Sequence, residues 1–218
     1  MATVAIVDYG VGNLRSVQKA VERAATDADL SWRAVIADDP DFIARADKVI
    51  VPGQGAFRDC AVALGRGIGA SVRAQIDRGT LYLGICMGLQ TLFASSEEAP
   101  GYNGLSFFEG SNVRLADGQR DPATGEAVKI PHMGWNSIEL RGAGHPYLEK
   151  AGGKGTHFYF IHSYNANPSD RSLVVATVQH GPFEVTAAVA RDNVFASQFH
   201  PEKSQAAGLA LLAAFLES

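Results

Sequence analysis

The chain is poor in the groups that staple, anchor or tag proteins. It has two cysteines, Cys60 and Cys86, in 218 residues. A disulfide framework is therefore excluded, and there is no Cys-x-x-Cys pair to grip a metal. No histidine lies at ligand spacing from a cysteine or a second histidine, so no metal site is expected. Lys and Arg form no block and the formal net charge is -4. Nucleic acid and anionic membrane surfaces are thus not expected partners. No apolar run approaches the length of a membrane span. The first residues enter a strand-like run without the charged, apolar and small-residue pattern of a leader, so a reducing, cytoplasmic setting is expected. A Gly-Lys-Ser/Thr loop is missing. Gly10-Val11-Gly12-Asn13 lacks the third glycine of a dinucleotide fingerprint, so no nucleotide cofactor is expected.

The composition that remains, 46% hydrophobic and 19% charged, is that of a globular protein with a sizeable core. Repeats, low-complexity tracts and linkers are lacking, so one domain over residues 1–218 is expected. Short continuous apolar runs at 4–7, 48–51 and 81–85 are expected to be strands covered on both faces, with a further β-rich run at 32–36. Between and after them come helical spacings. Leu14, Val17, Val21 and Ala24 share one face, with Asn13 placed to cap the start. Helices are also expected over 68–77 and 87–95. The alternation predicts an α/β fold with a mostly parallel sheet flanked by helices. After Pro100 the texture changes. Strand-like runs at 137–140, 158–163, 173–178, 185–190 and 194–199 follow one another across turns, which predicts added antiparallel strands. Leu209, Leu212, Ala213 and Leu216 predict a closing helix. The polar, Gly-containing stretch 117–125 is expected to be a surface loop.

Cys86 sits in Leu81-Tyr82-Leu83-Gly84-Ile85-Cys86-Met87-Gly88-Leu89-Gln90. A thiol on a sharp strand-to-helix turn needs small neighbours, and glycines stand two residues before and two after it. Such a cysteine would lie at a helix N-terminus, where the helix dipole favours a thiolate. The Met87 N–H would point to the same place and could bind an oxyanion. Cys60 has no such setting and is expected to be structural. Downstream, Gln198-Phe199-His200-Pro201-Glu202 puts His200 at a strand end, with Pro201 fixing the turn so that Glu202 reaches back to the ring. Cys86, His200 and Glu202 are therefore the candidate nucleophile, base and orienting group. Val51-Pro52-Gly53-Gln54-Gly55 is a second strand-to-glycine junction. Its backbone can approach a ligand, although an ordinary tight turn would look the same. These features alone fit several cysteine hydrolases.

Longer stretches narrow the field. The run Gly84-Ile85-Cys86-Met87-Gly88-Leu89-Gln90 with a distant His200-Pro201-Glu202 resembles the class I (triad) glutamine amidotransferases. The stretches Asp8-Tyr9-Gly10-Val11-Gly12-Asn13, Pro131-His132-Met133-Gly134-Trp135-Asn136, Tyr159-Phe160-Ile161-His162-Ser163-Tyr164 and His200-Pro201-Glu202-Lys203-Ser204 are similar to the glutaminase subunits of imidazole glycerol phosphate synthases, over nearly the whole chain. The resemblance implies a glutaminase in histidine biosynthesis. Cys86 would attack the side-chain amide of L-glutamine, with His200 moving the proton and Glu202 orienting it. Gly53, Gln54, Gly55 and Met87 would border the oxyanion, and Gln90, Ser163 and Tyr164 would hold the substrate. The ammonia would pass to a cyclase subunit, a (β/α)8 barrel, in a heterodimer. Asn13, Trp135 and Lys203 match positions facing that partner.

One position departs from the family pattern. The residue between the oxyanion-strand glycines is usually small and apolar, often Val, and here it is Gln54. A polar side chain there can make hydrogen bonds of its own, so hydrolysis without the partner is expected to stay weak. Three competing readings stand beside this one. They are an amidotransferase subunit of anthranilate or aminodeoxychorismate synthesis, a cysteine hydrolase acting alone, and a non-catalytic redox or chaperone protein with an exposed Cys86. The stretch from His132 to Asn136 argues against the first.

Overall fold

A computed structural model describes residues 2–218. Its spine is a nine-stranded sheet in the order β2-β1-β3-β4-β12-β11-β10-β7-β8. The strands are β1 (Ala2–Val7), β2 (Trp32–Ala37), β3 (Lys48–Gly53), β4 (Leu81–Cys86), β7 (His132–Leu140), β8 (His157–His162), β10 (Val174–His180), β11 (Phe183–Arg191) and β12 (Val194–Ser197). The first five in spatial order, β2 to β12, pair in parallel, and from β12 through β11 to β8 the pairing is antiparallel. The early βα alternation and the later run of strands thus build one sheet with two textures.

Period-two side-chain alternation sorts the apolar runs to the two faces. Val4, Ile6, Ile50, Leu83 and Ile85 join a core with Val17, Val21 and Ala24 of α1 (Leu14–Asp27) and with α7 (Gln205–Glu217). Ala5, Val7, Val49, Val51 and Tyr82 face the other way, against α3 (Phe57–Leu64) and α4 (Ile68–Asp77). On that second side lies a three-stranded sheet, β5 (Phe93–Ser96), β6 (Phe108–Arg114) and β9 (Tyr164–Pro168). The closing helix is buried more completely than a single stripe would be, with Leu211, Leu212, Ala213, Ala214, Phe215 and Leu216 all inside. Beneath its end the Lys48 amine donates to the carbonyls of Phe215 (2.6 Å), Leu216 (2.9 Å) and Ser218 (3.3 Å). Burial pushes that amine down to about 8.

Three local expectations are corrected. The helix expected over 87–95 is a single turn, α5 (Met87–Gln90). The Thr91 and Leu92 carbonyls accept instead from Leu105, Phe107 and Phe108, and Phe93 opens β5 opposite Phe108. Pairing with a distant strand has overridden local helical spacing, and the dipole of one turn is small. Asn13 occupies the N-cap position of α1, but its side chain makes no capping bond. His200 does not end a strand, because β12 stops at Ser197. The stretch 117–125 lies on the surface as expected, exposed except for half-buried Asp121.

Candidate active site

Cys86 ends β4 and begins α5 with φ 54° and ψ -101°. A non-glycine residue held there costs roughly 1–3 kcal/mol and persists only where its surroundings enforce it. The surroundings are backbone against backbone. A Cβ on Gly84 would meet the Gly88 carbonyl oxygen at 2.6 Å, and one on Gly88 would collide with the Val51 carbonyl. Both glycines are therefore required by contact, and the turn delivers the thiol to the C-terminal end of the parallel strands, where open α/β sheets place their ligands. Met87 opens the single helical turn, so its N–H has no partner within that turn. Gly53 lies directly opposite Cys86 in the β3–β4 register.

His200 is fixed outside regular structure by main-chain bonds. Its N–H donates to Tyr159 O at 2.9 Å, and the Ser204 hydroxyl donates to its carbonyl at 2.6 Å. It opens the 3-10 turn Pro201–Lys203, which carries Glu202 back to 2.7 Å from the ring Nδ1. Both side chains are 1% exposed. With a carboxylate at Nδ1 that nitrogen carries a proton, and Nε2 is left to face Cys86. Nε2 is buried without a hydrogen bond of good geometry. The Cys86 sulfur is nevertheless near enough to act on it. Burial alone would lower the His200 pKa, but the adjacent Cys86 sulfur and the Glu202 carboxylate hydrogen-bonded to Nδ1 together raise it to about 10.

The sulfur opens onto a cleft of about 310 Å³ lined by Gln54, Gly55, Met87, Gln90, Glu98, Ile161, His162, Ser163, Tyr164, His200 and Lys203. Most residues singled out in the sequence are thus brought to one cavity. Gly53, Asn13 and Glu202 lie behind it, lining a narrow void with Val17, Pro52 and Ile85. Trp135 lies outside on β7, 47% exposed. Gln90 is 2% exposed and its Oε1 has no hydrogen-bond partner. Glu98, Gln198 and His162 were not anticipated. Glu98 accepts from the Phe57 N–H at 2.9 Å, and nothing in its local sequence marks it. Gln198 is fully buried, with Nε2 3.5 Å from the Cys86 sulfur. Its place immediately before Phe199-His200 was the available signal. Cys60 is fully buried and does not line the cleft.

The family model described as "Glutamine amidotransferase class-I" matches residues 5–217. The chain belongs to the class I glutamine amidotransferase family. Among curated members, it is 43% identical over 216 residues to "Imidazole glycerol phosphate synthase subunit HisH" of Geobacter metallireducens, covering 99% of this chain and 98% of the relative. It is 46% identical to the protein of the same name from Caulobacter vibrioides, covering 100% of this chain and 99% of the relative. Among solved structures, a glutamine amidotransferase superposes with a TM-score of 0.69 at 22% identity over 98% of this chain and 97% of its own. The glutaminase domain of Trypanosoma brucei CTPS with bound acivicin gives 0.68 at 15% identity, over 100% of this chain and 95% of its own. At those identities the likeness is one of fold. Among the described residues, no helix of this family member is long and apolar enough to cross a membrane, and no cluster of three metal-ligating side chains occurs.

Proposed function

We propose that the chain is the glutaminase subunit of an imidazole glycerol phosphate synthase, and that Cys86, His200 and Glu202 are its triad. The observation that carries this reading is the buried His200–Glu202 pair, 2.7 Å apart, behind a cysteine on a strained elbow at the floor of the cleft. The full-length likeness to proteins of that name supports it.

In this reading the Cys86 proton passes to His200 Nε2 and the thiolate attacks the side-chain amide carbon of L-glutamine. The Met87 N–H and the backbone of Gly53, Gln54 and Gly55 receive the oxyanion. One such donor is worth roughly 3 kcal/mol in acyl transfer. His200 then protonates the departing ammonia, and water, deprotonated by the same ring, hydrolyses the glutamyl thioester. Glu202 holds the ring in one tautomer and offsets its charge. The free Oε1 of Gln90 suits a substrate N–H, Ser163 and Tyr164 border the substrate, and the Glu98 carboxylate suits its ammonium. The chemistry calls for no metal or cofactor.

A partner is favoured by the outer face of β7 and β8. Met133 pairs with Ile161 and Trp135 with Tyr159, so strand alternation turns these four outward while His132, His162 and Phe160 turn in. Met133, Trp135 and Ile161 are 58%, 47% and 36% exposed, an apolar patch beside the cleft mouth. Lys203 lies over the Tyr159 ring at 5.8 Å, joining patch to cleft. The proposed occupant is the cyclase subunit, a (β/α)8 barrel, in a heterodimer, with Asn13, Trp135 and Lys203 at or near the contact. The test is glutamate release with and without the cyclase and its ribulosyl phosphate substrate. Strong stimulation and conversion of that substrate are expected. Full activity of the isolated chain would refute the coupling, and ammonia transfer to chorismate instead would refute the pathway.

A further inference from the structure

Gln198 belongs neither to the proposed triad nor to the substrate contacts, yet its amide is packed against the nucleophile. Its Nε2 lies 3.5 Å from Cys86 Sγ, and its Oε1 accepts from Gln90 Nε2 at 3.0 Å. The neighbours decide which end of each amide is nitrogen. The same Gln90 nitrogen lies 3.4 Å from the Tyr164 carbonyl, which can only accept. Turning Gln90 over would set oxygen against oxygen. Its nitrogen therefore serves both Tyr164 O and Gln198 Oε1, and the Gln198 nitrogen is left for the sulfur.

The Tyr164 carbonyl is itself held. His162 Nδ1 donates to it at 2.9 Å. His162 Nε2 then accepts from His132 Nδ1 at 3.0 Å, and His132 Nε2 accepts from Asn136 Nδ2 at 3.2 Å. Each ring uses one donor and one acceptor, the neutral state, so every bond in the row has a fixed direction. The row runs from β7, beneath the exposed Trp135 face, to the thiol.

We propose that Gln198 is a catalytic residue whose side-chain amide donates to the Cys86 sulfur. This rests on the glutaminase reading for its substrate, but not for its effect on the thiol. The thiol proton still goes to His200, and Gln198 keeps both amide protons. Its bond favours the thiolate before attack and weakens as the sulfur is acylated. It re-forms as water breaks the thioester and the sulfur departs with its electron pair. The residue thus assists both formation of the nucleophile and expulsion of the leaving group.

The experiment is iodoacetamide labelling of Cys86 at pH 7, followed by mass spectrometry in the full chain, alongside glutamine kinetics in the complex. Alkylation builds no oxyanion and needs no substrate, so it reports the sulfur alone. Gln198→Met keeps the volume and removes the donor. A charge-assisted bond, less the gain in intrinsic nucleophilicity of a more basic thiol, predicts labelling about fivefold slower. The kcat for glutamine should fall at least as far, with KM changed less than about twofold. Gln90→Leu removes the group that orients Gln198 and should slow labelling in the same direction, which keeps the test available if Gln198→Met does not fold. Unchanged labelling in a folded variant overturns the proposal, even if kcat falls. If the wild type in its complex forms no glutamate while the labelling contrast holds, the glutaminase reading fails and the donor role stands.

Discussion

Acidification from pH 7 to pH 5 should destabilise the protein through three neutral histidines, two of them buried and one half-buried. Burial holds His162 at about 4, with the Tyr164 carbonyl opposing and charge on His180 and His200 assisting. Burial, then the charges of His162 and His180, holds His132 at about 3. Burial also holds His145 at about 4. An unfolded imidazole titrates near 6.5. A base with a depressed folded pKa takes its proton first in the unfolded chain. These three therefore cost nothing above pH 6.5, and they destabilise progressively as the pH falls from 6.5 towards 4. At pH 5 the buried rings of His132 and His162 each contribute roughly 2 kcal/mol of lost stability, and half-buried His145, screened by solvent, about 1. Together they approach the lower end of an ordinary domain's stability, about 5–15 kcal/mol. His200 has the opposite sign. Its raised pKa gives stability that is fully present below 6.5 and lost only as the pH rises towards 10. It adds no slope between pH 5 and 6.5. The assay is urea unfolding at pH 7, 6 and 5, read by tryptophan fluorescence. His145→Gln removes one titrating group and keeps an acceptor for the Tyr147 N–H that His145 caps. Its loss between pH 7 and 5 should be smaller by about 1 kcal/mol after solvent screening. Equal stability at pH 7 and 5, or an unchanged loss in His145→Gln, would refute the reasoning.

Other perturbations have separate readouts. Cys86→Ser should abolish glutamate release while leaving the unfolding midpoint within about 1 kcal/mol of wild type, and residual turnover above background would remove Cys86 from the nucleophile's role. Gly88→Ala pushes a methyl into the Val51 carbonyl and should destabilise by about 3 kcal/mol or more, so a near-neutral effect in urea would show that the elbow can relax. Lys48→Met removes the donor that ties three carbonyls at the end of α7, of which Phe215's keeps the Ser218 hydroxyl and Leu216's is left bare, and should cost roughly 2 kcal/mol, with hydrogen exchange rising first in that helix; protection unchanged there would count against the tether. Trp135→Ala should weaken cyclase binding about tenfold or more by titration while basal hydrolysis holds, and undiminished affinity would move the docking face elsewhere.

The parallel half was legible because each buried strand writes itself as an unbroken apolar run, and Gly84 and Gly88 stand where backbones touch. His200-Pro201-Glu202 was legible because a proline-fixed turn makes a two-residue separation into a spatial contact. Residues 91–95 were misjudged. Leu92 and Phe93 have helical spacing with Leu89, but the Thr91 and Leu92 carbonyls are claimed by residues 105–108, which no local window contains. His200 falls beyond its strand for a similar reason, since its backbone is held by Tyr159 and Ser204 rather than by a ladder. Glu98 enters the cleft from a turn with no pattern of its own. Gln198 was in view beside His200, but an amide's role depends on which groups face its two ends, and those groups are Gln90 and Cys86, more than a hundred residues earlier.

The pairing of β4 with β12 has a consequence for how the chain can change. Ile85 stands opposite Ser197, so the ends of the two strands that lead to Cys86 and His200 are one hydrogen-bonded spacing apart, about 4.8 Å. The reach from sulfur to imidazole is therefore a local dimension, set by one register and one short turn. Insertions at 117–125 or 141–145, however long, leave that dimension alone. A slip of a single residue between these two strands would turn every side chain of β12 to the opposite face and dismantle the site at once. Tolerance to change is thus distributed very unevenly, wide at the rim and almost nil across one strand pair.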